Sequence, residues 1–212
     1  MVSLLPLWLQ VAMGHPFQPS AWSMKTQART IDDELQVVVA LEVPTDTVLR
    51  ALATSTNAIH GFNRMKLERA RDAFNDTTWR ELGEDIQLTI AGEEIEMEWR
   101  PADTPINGKA SERFFLYLIE SSWTIPADIE AFSLEITNQA YADQEMFLTA
   151  TTQGQHPWML QQSSAHELLR RGVCWTDGGP EEDPGSIDRE GTVWLKDDQL
   201  RTLTARYTRA AR

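Results

Sequence analysis

Histidine is the residue type in this chain with the most defined metal chemistry, and the four histidines are His15, His60, His156 and His166. His15 follows Ala12-Met13-Gly14, which has small residues at the −3 and −1 positions of a signal-peptidase site. Cleavage after Gly14 would give His15 a free α-amine beside its imidazole. With one nitrogen from a second histidine, such a terminus forms a planar, T-shaped Cu(II) site. The candidate copper ligands are therefore His15, with His156 or His60 as its partner.

The alternative interpretation of His15 is that cleavage leaves a histidine at the terminus by coincidence. His166 stands beside Glu167 in a helical pattern and is predicted to lie on the surface. The single cysteine, Cys174, cannot form an intrachain disulfide. The chain has no Gly-x-Ser-x-Gly elbow, no His-Glu-x-x-His motif and no glycine-rich loop in a strand–turn–helix context. No catalytic constellation is therefore indicated, although the sequence leaves open whether the protein is an enzyme.

The N-terminal segment, residues 1–14, is apolar and carries no charged residue. It is too short to span a bilayer, and it precedes the small residues of the candidate cleavage site. These features predict a signal peptide at 1–14 and an exported protein that is periplasmic, displayed on the outer surface or secreted. The alternative is a buried N-terminal strand or helix.

The composition limits the kinds of molecule that the protein is expected to bind. The net charge of −13 and the pI near 4.7 describe an acidic surface, which repels nucleic-acid backbones and anionic membranes. No later segment has the length and apolar character of a membrane span. The eight tryptophans are predicted to lie mostly in the core or in sheets, with a few lining a groove.

The elements that must position these residues are mostly strands. Residues 35–43 alternate, with Val39 on the core face and Glu42 on the opposite face. Residues 22–29 alternate in the same way, and Asp32-Asp33 predicts the turn of an antiparallel hairpin. On this pattern Val39→Asp is expected to destabilise severely, and Glu42→Gln is expected to be nearly neutral.

A helical period replaces the alternation at about 57–83 and predicts an insertion of one or two helices. Alternating strands then resume at 86–90 and 95–99. Glu94, Glu96 and Glu98 fall on one face of the second of these strands. That row could bind a cation, but it is more typical of the solvated face of an edge strand.

Further strands are predicted at 113–119, buried on both faces, at 132–136, at 146–150 and in a short edge strand at 158–160. The fold class is mostly β, an antiparallel, Ig-like β-sandwich with a helical insertion. The predicted domain spans 15–172. Residues 173–212 contain a Gly- and Pro-rich linker and an arginine-rich C-terminal tail that could pair with the acidic body or fray.

The chain resembles the exported N-terminal domain that precedes the membrane part of hydrogenase/urease-accessory (HupE/UreJ-type) proteins. The resemblance is carried by His15 and the extended stretch after it, by the strand ending Leu41-Glu42-Val43-Pro44, and by the late strand pair over 132–152. It covers His15 to about Gln162. The family's membrane part is linked to nickel or cobalt handling, and no apolar segment of membrane length follows Gln162. The resemblance therefore implies the fold and the exported address, and no transport activity.

Two functions follow as expectations. The first is an exported, non-catalytic binding or interaction module for an unknown protein or small ligand. The second is a copper-binding protein that uses the mature N-terminal His15.

Overall fold

A computed structural model describes residues 22–45, 47–48, 64–105, 107–110, 114–144, 146–165, 175–176, 179–180, 193–195 and 198–210. The first half of the chain contributes β1 (Trp22–Ile31), β2 (Glu34–Pro44), α1 (Arg64–Glu84), β3 (Ile86–Ile90), β4 (Glu93–Ile95), β5 (Arg100–Pro101) and β6 (Lys109–Ala110). The second half contributes β7 (Phe114–Thr124), β8 (Ala131–Asn138), β9 (Met146–Gly154), β10 (Trp158–Ser163), β11 (Trp175–Thr176), β12 (Gly179–Pro180), β13 (Val193–Leu195), a short 3₁₀ helix (Asp198–Arg201) and β14 (Thr202–Arg209).

Two sheets form the body of the protein. Sheet 1 has seven strands in the order β13-β9-β1-β2-β7-β5, with β6 also paired to β7. Sheet 2 has five strands in the order β10-β14-β8-β3-β4, and β11 and β12 form a separate pair. All pairs are antiparallel except β1 with β9, which is parallel. The predicted mostly-β sandwich with a helical insertion is confirmed.

The inward faces of the two sheets share one apolar core. From sheet 1 it contains the predicted core face of β2, including Leu35, Val39 and Val43. From sheet 2 it contains Leu134, Ile136 and other inward residues of β3, β8 and β14. Alternation places every second side chain of these strands in the core, which explains why the pattern was readable from sequence.

Two tight turns lie where the sequence predicts them, one within each of the first two hairpins. The β1–β2 turn at Asp32-Asp33 places Asp32 at φ +52, and the β3–β4 turn places Ala91 and Gly92 at positive φ. Positive φ at the central residues suits the right-handed twist of the flanking strands.

The helical insertion appears as α1, and residues 51–63 lie outside the described part. Asn75, Thr78 and Leu82 are the buried positions of its second half, spaced three and four residues apart. Leu82 joins the common core, and the helix contacts β7 of sheet 1. Among the described helices, none combines the length and the apolar character that crossing a bilayer requires.

The C-terminal segment differs from the prediction of a linker and tail at 173–212. Residues 202–209 instead form β14, which lies between β10 and β8 in sheet 2. Leu203, Ala205 and Tyr207 are buried, while Thr204 and Arg206 point outward. Two of the arginines that suggested a tail, Arg206 and Arg209, belong to this strand, whose other face completes the core. Arg201 ends the 3₁₀ helix, where it is buried and donates to the carbonyls of Asn138 and Ala140.

Candidate functional site

Of the three predicted copper ligands, the structure describes His156. His156 is exposed in the turn between β9 and β10, before Pro157. His15 and His60 lie outside the described residues, as do His166 and Cys174. Within the ranges that the structure describes, no group of three His, Cys, Asp or Glu side chains could hold a metal ion. The copper site stays a prediction.

The glutamate row lies where the edge-strand interpretation put it. β4 is the terminal strand of sheet 2, and Glu94, Glu96 and Glu98 are exposed. Residues 96–99 continue the alternation outside regular strand structure, so Met97 and Trp99 are half-buried on the opposite side. The row is the solvated face of an edge segment.

The main candidate site is a groove of about 510 Å³ between α1 and this edge segment. One wall is the helix, from Asp76, Trp79, Arg80, Gly83 and Glu84. The other wall and the floor come from Met97, Trp99, Arg100, Pro101 and Ile119. Binding sites for small ligands and peptides are typically concave, largely apolar and edged by a few polar groups, which describes this lining.

Trp99 reaches the helix because residue 83 is a glycine. A Cβ at Gly83 would lie 3.1 Å from the Trp99 Cβ and 3.2 Å from its Cγ. The absence of a side chain therefore lets the edge segment lie close to α1 at this point. The contact sets the width of the groove at its Trp99 end.

Trp79 is supported from beneath by the loop that follows β5. A Cβ at Gly108 would lie 3.4 Å from the Trp79 Cζ2 and 3.0 Å from the Asn75 Nδ2, and Gly108 has φ +66. The Asn75 amide donates to the Gly108 carbonyl at 3.3 Å. Glycine is needed here both for the backbone conformation and for the close approach to the helix.

The same loop is held to the edge of β7 by one side chain. The Asn107 Nδ2 donates to the carbonyls of Ala102 and Leu118, at 2.8 and 2.9 Å. The Leu118 amide donates to the Asn107 Oδ1 at 3.0 Å. In the gap between β5 and β6, the Asn107 side chain therefore makes the hydrogen bonds to β7 that the main chain of a strand would make. These bonds fix the loop that supports Trp79.

A tyrosine anchors the other side of α1. The Tyr141 hydroxyl donates to the Glu81 carboxylate at 3.0 Å, and Thr78 lies beside the phenols of Tyr117 and Tyr141. Burial raises the pKa of the Tyr117 phenol, and burial together with the neighbouring Glu81 raises the pKa of Tyr141. Both phenols are therefore neutral at physiological pH, and the Tyr141 bond to Glu81 helps to hold the helix in place.

The rim of the groove carries balanced charge. Asp76 and Glu84 are opposed by Arg80 and Arg100, and all four side chains are exposed. The Arg100 guanidinium lies 3.2 Å from the Glu120 carboxylate. On a chain with a net charge of −13, this local neutrality distinguishes the groove from the average surface.

A second concavity of about 340 Å³ lies on the outer face of sheet 2. Its lining is mostly polar, with Thr89, Ser133, Glu135, Thr204 and Arg206. It lacks the aromatic side chains of the groove. The groove is therefore the stronger candidate, because buried apolar contact provides most of the binding free energy.

Sequence reasoning expected a few tryptophans to line a groove but did not identify which ones. Trp79 lies in a helix and Trp99 in an alternating segment, 20 residues apart in the chain. Only the packing of α1 beside residues 96–101 brings them to one groove. The nearest sequence signal is Gly83, which ended the predicted helix and is in fact the contact point for Trp99.

The fold and the groove define a β-sandwich with an aromatic groove at one edge. Searches of protein-family models and of curated proteins find no match to this chain. The resemblance to the exported domain of HupE/UreJ-type proteins therefore stays a prediction.

Proposed function

We propose that this protein is a non-catalytic binding module and that the groove between α1 and residues 96–101 is its ligand surface. The observation that carries the proposal is the clustering of Trp79, Met97 and Trp99 with Arg80 and Arg100 in one open groove. Tryptophan, methionine and arginine are the residue types enriched at protein interfaces and at their energetic hot spots. The ligand is accordingly a segment of another protein.

The partner is not a nucleic acid. The acidic chain repels phosphate, and the rim of the groove offers two arginines against two carboxylates. This balance favours a ligand that combines apolar anchors with polar flanks.

Export is part of the proposal and rests on the sequence of residues 1–14. Expression in a host with a Sec pathway should yield a mature protein that begins at His15. N-terminal sequencing of the exported material tests this, and an intact N-terminus in that fraction would contradict it. A mature His15 is also the requirement for the copper hypothesis.

The binding proposal is tested by selecting a phage-displayed random peptide library on the immobilised protein. We expect enriched peptides whose binding to Trp79→Ala is weakened by about tenfold or more, since the variant removes an aromatic contact from the groove. Met159→Ala is the control, because Met159 is an exposed apolar residue on β10, away from the groove. Circular dichroism verifies that both variants are folded.

Two outcomes would overturn the binding proposal. One is the absence of any enriched peptide. The other is a set of peptides that bind Trp79→Ala as tightly as the unmodified protein.

A further inference from the structure

One continuous segment forms the terminal edge of both sheets. β4 ends sheet 2, β5 ends sheet 1, and residues 96–99 connect them directly. Among the strands that the structure describes, β4 pairs with β3 on one side only, and β5 pairs with β7 on one side only. Residues 93–101 therefore run along the margin of the sandwich, beside the groove.

The main chain of residues 96–99 is largely unpaired. Among the described residues, the single hydrogen bond to this stretch comes from the Ser121 hydroxyl, which donates to the Glu98 carbonyl at 2.9 Å. The pairing of β4 ends at Ile95, and that of β5 begins at Arg100. Unpaired N–H and C=O groups at a sheet margin are a template for adding a strand from another chain.

The alternation of this segment specifies which strand would fit. An added strand presents its side chains to the same two faces as the segment that it pairs with. Residues opposite Ile95, Met97 and Trp99 would meet the apolar groove. Residues opposite Glu94, Glu96 and Glu98 would meet three exposed carboxylates that form no ion pair within the described part of the chain.

The charge of the row excludes a second copy of this chain as the occupant. Two copies paired edge to edge would bring their glutamates together, and like charges in opposed positions destabilise strand pairing. Lysine or arginine at alternate positions of the incoming strand would instead form favourable cross-strand pairs. The net charge of −13 adds long-range attraction for such a segment.

We propose that the groove receives an extended segment of another protein, with apolar and basic residues in strict alternation, that pairs with the main chain of residues 94–99. This inference rests on the proposed function and specifies its ligand. The apolar residues enter the groove beside Trp79, Met97 and Trp99. The basic residues lie on the glutamate row.

The test uses three fluorescein-labelled synthetic peptides of equal length, measured by fluorescence anisotropy. The first alternates lysine with leucine, the second has the same composition in two blocks, and the third alternates glutamate with leucine. We expect the alternating lysine peptide to bind about tenfold or more tighter than either of the others. Equal binding of the blocked and alternating lysine peptides would overturn the inference.

Backbone N-methylation tests the strand pairing itself. In an extended strand, the N–H groups of alternate residues point to the same side. Methylating one alternating set of amides should therefore weaken binding about tenfold or more, and methylating the other set should leave the affinity unchanged. Equal effects of the two sets would show that no strand pairing occurs.

The glutamate row is tested by the triple variant Glu94→Gln, Glu96→Gln and Glu98→Gln. This variant should bind the alternating lysine peptide about tenfold more weakly, and its affinity should depend less on salt concentration. The control triple of equal charge change is Asp128→Asn, Glu130→Gln and Glu135→Gln, at exposed positions elsewhere. Equal effects of the two triples would show that only net charge matters and would overturn the assignment of the row.

These outcomes separate the inference from the proposed function. Library peptides that depend on Trp79 but lack alternation, and that tolerate N-methylation, would preserve the groove as a binding site and eliminate strand addition. The absence of any Trp79-dependent binding would eliminate both.

Discussion

The outer faces of the two sheets differ although both sheets share the same core. On sheet 1, the outward side chains of Val38, Leu118 and Thr149 are buried, with exposed fractions of 4%, 1% and 1%. On sheet 2, the outward side chains of Ser133 and Arg206 are exposed. The centre of sheet 1 is therefore buried on both faces, and sheet 2 is an antiparallel sheet with one solvated face.

The difference is visible in the strands themselves. In β8 from Phe132 to Ile136, and in β14 from Thr202 to Tyr207, buried apolar residues alternate with exposed polar residues. β7 has consecutive buried residues from Tyr117 to Ile119, as the prediction of a strand buried on both faces required. The groove and the glutamate row lie where the margins of these two unlike sheets meet.

The largest difference in stability between the core and the outer face of sheet 2 should come from placing a charge at each. Val39→Asp should destabilise by more than about 4 kcal/mol or prevent folding, because Val39 is fully buried and an aspartate there would have no partner. Ser133→Asp, on the outer face of sheet 2 and opposite Arg206 in the strand ladder, should change the free energy of unfolding by less than about 1 kcal/mol. Chemical denaturation of both variants measures this, and comparable losses would refute the assignment of faces.

Creating a cavity on the outer face of sheet 1 should cause the next largest loss of unfolding free energy. Leu118→Ala should cost about 2–4 kcal/mol, because Leu118 is buried although it points away from the core. Ser133→Ala on the outer face of sheet 2 should cost less than about 0.5 kcal/mol. A near-neutral Leu118→Ala, measured by urea denaturation, would mean that only the inner face of sheet 1 contributes to stability.

Glu42 gives a subtler comparison. The sequence predicted that Glu42→Gln would be nearly neutral, but Glu42 is only 7% exposed and accepts a hydrogen bond from the Ser23 hydroxyl at 3.0 Å. The glutamine Oε1 can still accept this bond but carries no charge, so the weaker bond should cost about 1 kcal/mol. Glu135→Gln, exposed on sheet 2, should stay within about 0.5 kcal/mol. If the two variants are equally stable in thermal unfolding, the burial of Glu42 has no energetic consequence.

The smallest expected effect is on the loss of stability at alkaline pH. Burial raises the pKa of the Tyr207 phenol beneath sheet 2, so the folded state holds this proton more tightly than the unfolded chain does. The Tyr207 phenol makes its full contribution to the free energy of unfolding below the ordinary tyrosine pKa of about 10, and this contribution declines as the pH rises above that value. Tyr207→Phe should therefore show a shallower loss of unfolding free energy between neutral pH and the alkaline range. An identical pH profile in the variant would contradict the linkage.

Most strands of the core, although not β14, could be predicted from the sequence alone, because alternation is a local property. The hairpin at Asp32-Asp33, the edge position of residues 158–160 and the exposure of Glu94, Glu96 and Glu98 all follow from patterns within about ten residues. The presence of one helical region followed from its change of period. These features needed no knowledge of distant neighbours.

Only the tertiary structure decided which strands are neighbours and which outward faces are covered. The parallel pairing of β1 with β9, the insertion of β14 between β8 and β10, and the burial of Glu42 all join residues far apart in the chain. The groove has the same origin, since Trp79 and Trp99 meet only when α1 packs beside the edge segment. Side-chain period reports which face a residue lies on, whereas the surface that meets that face is set by the packing of the whole chain.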